Sequence, residues 1–409
     1  MTEQRRSLSV EQYLDEVLAL VEPLTDVFME PYTRAAGLTL AEPVTSRGPV
    51  PAFANSAMDG FAVRHVDLRP EVVLREVADI PAGSDADPFV GPGECARIMT
   101  GAAVPTSTDT IVPRELVTET EGGIVVHEFP DAGTHVRHPG EDLATGDAVL
   151  HPGHVLDARA LSLVAACGRD EVAVVRRPIV NVASTGDELT APGHDLGRGQ
   201  IYESNSTFLA EAARRDGAEV LRTAVLPDDP DAFAAGLDAL AEHADLVVLS
   251  GGVSVGDYDV VRIVLAERGD ARFRAVFMQP GKPQGFASWR TPAGRTVPVL
   301  ALPGNPLSAA VSYELFVRPV IERLLGRPAR AWRTAVADDS WTSPAGRRQF
   351  VPVVTETDAD GVLMARRAHR RGSASHLVSA LALADALAAV GEDVTQVNPG
   401  DLLLTRSLA

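Results

Sequence analysis

A glycine-rich loop followed by carboxylates is the first stretch of this sequence that could do chemistry. Residues 249–261 read L-S-G-G-V-S-V-G-D-Y-D-V-V, and Gly251 and Gly256 have the spacing of a phosphate-binding loop. That motif continues with Lys, whereas this chain has Asp257 and then Asp259. Glycines let backbone N–H groups approach a phosphate, but two carboxylates repel it unless a hard cation lies between them. Since Mg²⁺ is bound by one or two carboxylates plus substrate phosphates, the loop predicts a Mg²⁺–phosphate site and excludes an ordinary P-loop kinase.

Residues 178–325 supply the elements that position this loop. Short apolar strands alternate there with helical patterns, which predicts βαβ units and a mostly parallel, doubly wound sheet. Ligands of such sheets bind outside the carboxyl ends of the strands. The polar residues expected at that edge are Asp187 and Glu188 in S-T-G-D-E-L, Asp228 and Asp229 in P-D-D-P, Asp257 and Asp259, Lys282 after a strand expected near Phe277, and Asn305 in L-P-G-N-P.

Each of these loops also fits a purely structural role. Asp228 precedes a Pro and a helix and has the pattern of an N-cap, and Asp259 could cap the next helix. Lys282 alone would be an ordinary solvated lysine, and P-G-N-P is a turn signal. The concentration of several carboxylates and one lysine beside glycine-rich backbone exceeds what capping needs, which favours a ligand site.

The rest of the chain divides by pattern into further domains. An amphipathic helix with Ser9 as N-cap and Pro23 as stop begins the chain, and short β-branched runs between turn residues predict a small β unit. After Gly326 apolar and polar residues again alternate with a period of two, which predicts a C-terminal β domain. The predicted domains are 1–50 with 141–176, an inserted β domain at 51–140, an α/β domain at 177–326, and a β domain at 327–409.

Composition limits the partners of the chain. Its 409 residues include 37 Lys and Arg against 56 Asp and Glu, a net charge of −19, which argues against nucleic-acid or anionic-membrane surfaces. The two cysteines, Cys95 and Cys167, do not suggest a disulfide framework. The apolar stretch at 377–390 is short and contains Asp385, so no membrane span is expected, and a cytoplasmic location is predicted.

The β unit carries a second group of polar motifs. N-S-A-M-D-G-F-A-V contains Asp59, I-M-T-G-A-A-V-P contains Thr100, and H-V-R-H-P-G-E-D-L contains Arg137 and Asp142. Taken one at a time, these residues read as a turn, a turn hydroxyl and surface charges.

Together these motifs resemble one family, the molybdopterin molybdenumtransferases of the MoeA type, which also form the C-terminal part of gephyrin. The segments that carry the resemblance are the three motifs of the β unit, S-T-G-D-E-L, Y-E-S-N-S at 202–206, S-G-G-V-S-V-G-D-Y-D, P-G-K-P and L-P-G-N-P-L-S-A-A-V. They occur in the order of the family from residue 55 to residue 311, and the ordered set is highly specific. The resemblance implies an elongated N-terminal domain, the inserted β domain, a central molybdopterin-binding α/β domain and a C-terminal β-barrel-like domain.

The implied reaction is Mg²⁺-assisted insertion of molybdate into adenylylated molybdopterin, with release of AMP. Glu188, Asp228 and Asp259 are the implied metal ligands. Asp59 and Asp142 would support catalysis from the partner chain of a homodimer, whose site lies between the α/β domain of one chain and the β domain of the other. Lys282 and Arg137 would neutralise anionic charge, and Thr100 with the amides of Gly251 and Gly252 would hold anion oxygens. Further implied substrate contacts are Ser184, Gly186, Asn205, Ser250, Asp257, Pro303, Asn305, Pro306 and Arg347.

One departure from the family pattern concerns the oxyanion. Several relatives read M-K-P-G-K-P, whereas this chain has Gln279 in place of the first lysine. Loss of that cation would either weaken molybdate capture or shift its role to an arginine such as Arg137 or Arg347, and both molybdate and tungstate stay open as the oxyanion. Expected partners include the molybdopterin adenylyltransferase and recipient molybdoenzymes. Two alternatives stay open, adenylylation of molybdopterin by ATP and a non-catalytic scaffold of the same fold.

Overall fold

The computed structural model describes residues 7–253 and 259–408, and the chain forms two compact units. The first unit comprises Met29–Ala36 and Leu40–Val174, and the second comprises Met1–Phe28, Gly37–Thr39 and Val175–Ala409. The four domain boundaries expected from the sequence stay a prediction, because this division is coarser. No helix within the described ranges is long and apolar enough to cross a membrane.

The N-terminal helix α1 spans Val10–Leu18 and begins with the predicted cap. The Ser9 hydroxyl accepts a bond from the Gln12 amide at 3.1 Å, and the Gln12 side chain accepts one from the Ser9 amide at 3.0 Å. This reciprocal pair is a capping box. The helix ends one turn earlier than the apolar stripe suggests. Before Pro23 the hydrogen bonds change to the tighter i to i−3 type, in which the Val21 amide donates to the carbonyl of Leu18.

The predicted small all-β unit is present as a six-stranded sheet in the order β8-β5-β7-β6-β10-β9. Its core contains Phe61, Leu74, Val112 and Ile124. The strands and helix up to residue 175 are β1 Val27–Pro31, β2 Thr39–Leu40, β3 Val44–Thr45, β4 Asn55–Ser56, β5 Gly60–Val63, β6 Val73–Ile80, β7 Glu94–Ile98, β8 Thr110–Pro113, β9 Val117–Thr120, β10 Gly123–Val126, β11 Val136–Arg137, β12 Ala148–Leu150, α2 Ala158–Ala166 and β13 Glu171–Val175.

The central α/β sheet has the order β17-β14-β18-β22-β21-β19. Strands β17, β14, β18 and β22 are parallel, as predicted. Strands β14 and β18 are buried along their whole length and β22 along most of it, whereas the edge strand β17 is largely open to solvent. The elements of this region, including the short pair β15-β16 and the short strand β20, are β14 Val180–Thr185, β15 Leu189–Thr190, β16 Ile201–Tyr202, α3 Asn205–Arg215, β17 Thr223–Leu226, α4 Pro230–Ala241, β18 Leu246–Ser250, α5 Val260–Arg268, β19 Gly269–Ala275, β20 Met278–Gln279, β21 Pro283–Arg290, β22 Thr296–Leu302, α6 Pro306–Ser312 and α7 Arg318–Leu324, with a π-helical turn at Tyr313–Val317.

The far edge of this sheet differs from the prediction. Strand β21 runs antiparallel to both β19 and β22, because the connections on either side of it are too short for the crossover that parallel strands need. The strand expected near Phe277 is present as β19, which ends at Ala275, and the short strand β20 that follows it pairs with β25 of the C-terminal domain. Lys282 comes after these two strands and directly precedes β21, whose first residues lie beside the carboxyl end of β22.

The C-terminal domain is a closed β-barrel, which confirms the predicted β-barrel-like fold. Its elements are β23 Arg333–Ala337, β24 Trp341–Thr342, β25 Arg348–Thr357, β26 Leu363–Arg367, α8 Val378–Leu383, β27 Ala386–Val390, β28 Gln396–Val397 and β29 Leu402–Ser407. Strands pair in the order β25-β26-β23-β29-β27, and β27 pairs again with β25, so the sheet closes on itself. With the mostly parallel α/β sheet and the small β unit, this barrel confirms the predicted fold class.

Candidate functional site

A polar cleft lies at the carboxyl ends of β14, β18 and β22, the edge where open α/β sheets bind ligands. Its volume is about 400 Å³. The predicted site residues that line it are Ser184, Glu188, Asn205, Ser250, Gly251, Gly252, Pro303, Asn305 and Pro306. Five separate stretches of sequence thus meet in one cleft, and the N-terminus of α3 opens onto it.

Asn205 connects three of these stretches. Its side-chain amide donates to the Ser250 hydroxyl at 2.7 Å and to the carbonyl oxygen of Gly304 at 2.7 Å. Asn205 is the first residue of α3, and Ser204 occupies the N-cap position. Both donor hydrogens of the amide are used to hold the end of β18 and the loop before α6 in place.

Glu203 is a residue of the cleft that the sequence reasoning missed. Its carboxylate is 8% exposed and accepts bonds from the Ser184 hydroxyl, the Ser206 amide and the Ser206 hydroxyl at 2.7, 2.7 and 2.5 Å. A glutamate in the turn Y-E-S-N-S, directly before a helix and three residues before Ser206, is the signal that could have identified it. It fixes the start of α3 against the end of β14.

The glycines of the S-G-G segment are required by close backbone approach. Gly251 has φ of +102°, and a Cβ atom there would lie 2.8 Å from the carbonyl oxygen of Thr185. Gly252 has φ of +68°, and its Cβ atom would lie 2.2 Å from Val261 and 2.6 Å from Asp259 Oδ1. Any other residue would be strained in conformation and blocked by its neighbours.

The predicted acidic residues border two turns beside the cleft. Glu188 folds its carboxylate over Gly186, where a Cβ atom would lie 2.4 Å from Oε2. Asp228 accepts a bond from the Asp187 amide at 3.3 Å. The prediction that Asp228 caps the next helix is wrong, because Asp229 takes that place and accepts from the Ala232 amide at 2.9 Å. Asp259 occupies the N-cap position of α5.

A metal-binding cluster is not formed by these carboxylates alone. Within residues 7–253 and 259–408, no three His, Cys, Asp or Glu residues lie close enough to hold an ion together. The predicted ligands Glu188, Asp228 and Asp259 therefore stay a prediction. Asp257, predicted to contact substrate, falls outside the described residues.

Lys282 is exposed and lies next to Pro283, which lines the cleft. Arg347, in the loop before β25, donates a hydrogen bond to the side chain of Gln279 at 3.4 Å. Arg347, one of the arginines expected to substitute for the missing cation, thus lies beside Gln279, the residue that replaces the family lysine.

In the first unit, Asp59 and Thr100 come together although 41 residues separate them. Both the amide and the hydroxyl of Thr100 donate to Asp59 Oδ1 at 2.7 Å. These two bonds hold the pKa of the Asp59 carboxyl below its ordinary value. Arg137 is exposed and pairs through β11 with Asn55, and the Asp142 amide donates to the carbonyl of Val50.

The fold and the cleft define an α/β protein with a polar, glycine-lined cleft at the edge of its sheet and a β-barrel domain after it in the sequence. Three family profiles match this chain: "MoeA N-terminal region (domain I and II)" at residues 8–168, "Probable molybdopterin binding domain" at 181–323, and "MoeA C-terminal region (domain IV)" at 334–404. The chain belongs to the MoeA family of molybdopterin molybdenumtransferases, as the motifs predicted.

Named relatives and solved structures agree with this assignment. Molybdopterin molybdenumtransferase 2 of Mycobacterium tuberculosis is 41% identical, with 95% of this chain and 96% of the relative covered. The molybdopterin molybdenumtransferase of a Nostoc species is 36% identical, covering 91% of this chain and 87% of the relative. A crystal structure of the molybdopterin biosynthesis MoeA protein of Pyrococcus horikoshii is similar with a TM-score of 0.78 at 29% identity, covering 99% of this chain and 100% of that one.

Proposed function

We propose that this protein is a molybdopterin molybdenumtransferase that inserts molybdate into adenylylated molybdopterin and releases AMP, a step of molybdenum cofactor biosynthesis. The observation that carries the proposal is the cleft, because the motif residues of the resemblance line it together. Relatives with the transferase name span nearly the whole chain, including the β unit and the barrel. They favour the transferase over the alternative adenylyltransferase reaction.

The hydrogen bonds of the cleft decide what its hydroxyls offer to a substrate. Ser184 donates its proton to Glu203, so its oxygen faces the cleft as an acceptor. Ser250 accepts from Asn205, so its own proton can be donated to a substrate oxygen. With the amides of Gly251 and Gly252, these groups would hold the phosphate and polar pterin edges of adenylylated molybdopterin.

We further propose that the acidic residues hold Mg²⁺ together with substrate phosphate. The donor set fits, because Mg²⁺ prefers carboxylate oxygens and needs only one or two of them when phosphate and water complete its shell. Glu188, Asp228 and Asp259 border the turns beside the cleft and would hold the ion. A bound Mg²⁺ would neutralise charge on the pyrophosphate link and on the departing AMP.

Lys282 and Arg347 are the proposed cations for molybdate. Lys282 adjoins the lining of the cleft. Arg347 reaches Gln279, the position of the first lysine in the family pattern M-K-P-G-K-P. A guanidinium has several donors in a fixed plane and suits an oxyanion as well as a lysine does. Arg347 would therefore compensate for Gln279.

A reconstituted assay tests the reaction. The purified protein is mixed with adenylylated molybdopterin, molybdate and Mg²⁺, and AMP release and activation of a molybdenum-free recipient enzyme are measured. We expect both to require molybdate and to stop with chelator. Molybdopterin with ATP serves as the control, since pyrophosphate release there would instead support the adenylyltransferase. If Asp259→Ala left molybdoenzyme activation unchanged in a cell depleted of its own copy of the protein, the scaffold would be supported.

We propose a homodimer in which Asp59, Thr100, Arg137 and Asp142 of one chain act with the cleft of the other. Mixing two inactive variants, Asp59→Asn and Glu188→Gln, tests this arrangement. If the site uses two chains, mixed dimers contain one intact site and activity returns; if it uses one chain, both sites stay defective. A mixture without activity, with mixed dimers shown by mass spectrometry, would contradict the proposal.

The remaining partners are also proposals. The substrate would come from a molybdopterin adenylyltransferase, and the product would go to recipient molybdoenzymes. We propose a cytoplasmic location, because Cys95 and Cys167 are free, buried thiols, as is usual in reducing compartments.

A further inference from the structure

A second cavity, distant in sequence from the cleft, collects four arginines in a strongly acidic protein. It lies between α1, α7 and the last strand of the barrel and has a volume of about 430 Å³. Arg323, Arg327, Arg330 and Arg406 line it, and it shares no lining residue with the cleft. In a chain of net charge −19, such a concentration of guanidinium groups is unusual.

Two of these arginines are half-buried and have no carboxylate partner among the described residues. Arg327 donates to the Thr39 hydroxyl and to the carbonyl of Asp216, both at 2.8 Å. Arg406 donates to the carbonyl of Glu314 at 3.3 Å. In the described part of the chain, no carboxylate oxygen lies within ion-pair distance of either guanidinium, and burial lowers the pKa of both.

Arg406 has a further unsatisfied group. Its Nε atom is buried and has no hydrogen-bond partner among the described residues, while its guanidinium lies 4.3 Å from the centre of the Trp332 ring. Leaving a charged donor buried and unpaired is unfavourable. Arg318 shows the contrast, since it is fully buried and pairs with Asp216 at 2.9 Å and with Glu314 at 2.8 Å.

We propose that this cavity is a binding site for a small phosphorylated molecule, whose phosphate supplies the missing negative charge. Guanidinium groups bind phosphate oxygens through paired, charge-assisted hydrogen bonds. Leu14, Leu18 and Pro23 form an apolar wall that suits the organic part of such a molecule. The cavity carries two carboxylates, Glu22 and Glu322, against the four arginines, so it keeps a positive excess.

Arginine footprinting on the unmodified full-length protein tests the site. Phenylglyoxal modifies accessible arginines, and peptide mass spectrometry locates each modification. Inorganic phosphate and phenyl phosphate are the probes, with sodium chloride at matched ionic strength as the control. We expect both phosphates to protect Arg323 and Arg330, phenyl phosphate at lower concentration because of the apolar wall, and neither to protect the exposed Arg272.

Two variants confirm the location by calorimetric titration with phenyl phosphate. Arg406→Gln should weaken binding at least about tenfold, as removal of a charge-assisted contact does, and Arg272→Gln should not. If Arg406→Gln does not fold, Arg330→Gln at the exposed edge of the cavity takes its place. Protection confined to arginines outside this cavity, or protection equal to that of chloride, would overturn the proposal. Since the test uses no pterin, its outcome is separate from that of the proposed reaction.

Discussion

Replacing Glu203 with Gln tests how the cleft is organised. The carboxylate accepts three hydrogen bonds, one from Ser184 and two from Ser206. Glutamine keeps the size of the side chain and one acceptor oxygen. Its NH₂ group faces a hydroxyl and cannot accept the hydrogen bond that this hydroxyl donates to the carboxylate. The substitution therefore changes the hydrogen bonding of the cleft and very little else.

The expected loss of stability follows from those bonds. Hydrogen bonds to a charged group are worth about 1.5–3 kcal/mol and neutral ones about 0.5–1.5 kcal/mol. Two of the hydrogen bonds become neutral and one is lost. The variant also avoids the free-energy cost of burying a carboxylate, and this offsets part of the lost stability. We expect the free energy of unfolding to fall by about 2 kcal/mol. Because the hydrogen bond from the Ser184 hydroxyl becomes a weaker, neutral one, we also expect the KM for adenylylated molybdopterin to rise more than kcat falls.

Urea unfolding and AMP-release kinetics measure the two effects. The matched control is Glu211→Gln on the exposed face of the same helix, where the glutamate makes only a surface pair with Arg214, and its change should stay within about 0.5 kcal/mol. Equal unfolding midpoints for the two variants, with unchanged KM, would show that Glu203 does not organise the cleft.

Three further predictions concern separate parts of the molecule. Gly251→Ala should lose about 1–3 kcal/mol more than Gly294→Ala in thermal unfolding, because both glycines have positive φ but only Gly251 has a backbone oxygen where the Cβ atom would go. Thr100→Val should raise the pKa of Asp59, because it removes the hydroxyl that stabilises the carboxylate; carboxyl NMR titration measures the shift. Arg347→Gln should weaken molybdate binding about tenfold in calorimetry, because it removes a proposed cation.

Each of these predictions has an outcome that contradicts it. Equal destabilisation of the two glycine variants would mean that backbone strain alone acts at Gly251. Thr106→Val is the control for Thr100→Val, because Thr106 makes the same two bonds to Asp87; it should raise the pKa of Asp87 and leave that of Asp59 unchanged. Molybdate affinity that is the same in Arg347→Gln and in the exposed Arg290→Gln would remove Arg347 from the site.

The parallel strands and the residues at their ends were predictable, because both follow from local patterns. An apolar run followed by glycine or a polar turn specifies a strand and its carboxyl end, and the fold rule then brings Ser184, Ser250 and Asn305 to one edge. The antiparallel pair at the far edge was not predicted, since turn length rather than apolar pattern decides strand direction there.

Single polar residues were harder to assign. Asp228 and Asp229 have the same side chain and stand side by side between two prolines, and only the backbone geometry decides which carboxylate reaches the Ala232 amide. Glu203 was missed because a buried acceptor between two serines has no periodic pattern. The hydrogen bond between Arg347 and Gln279 joins segments that are far apart in sequence, so neither residue alone could have predicted this contact.

The closure of the barrel has a consequence for protein synthesis. Strand β29 follows the other barrel strands in sequence and pairs with both β23 and β27, so the barrel cannot close until this strand has left the ribosome. The α/β sheet, whose last strand ends at Leu302, can form while translation of the barrel continues. Truncations that remove this strand would therefore leave a partly folded chain with two open sheet edges, prone to aggregate.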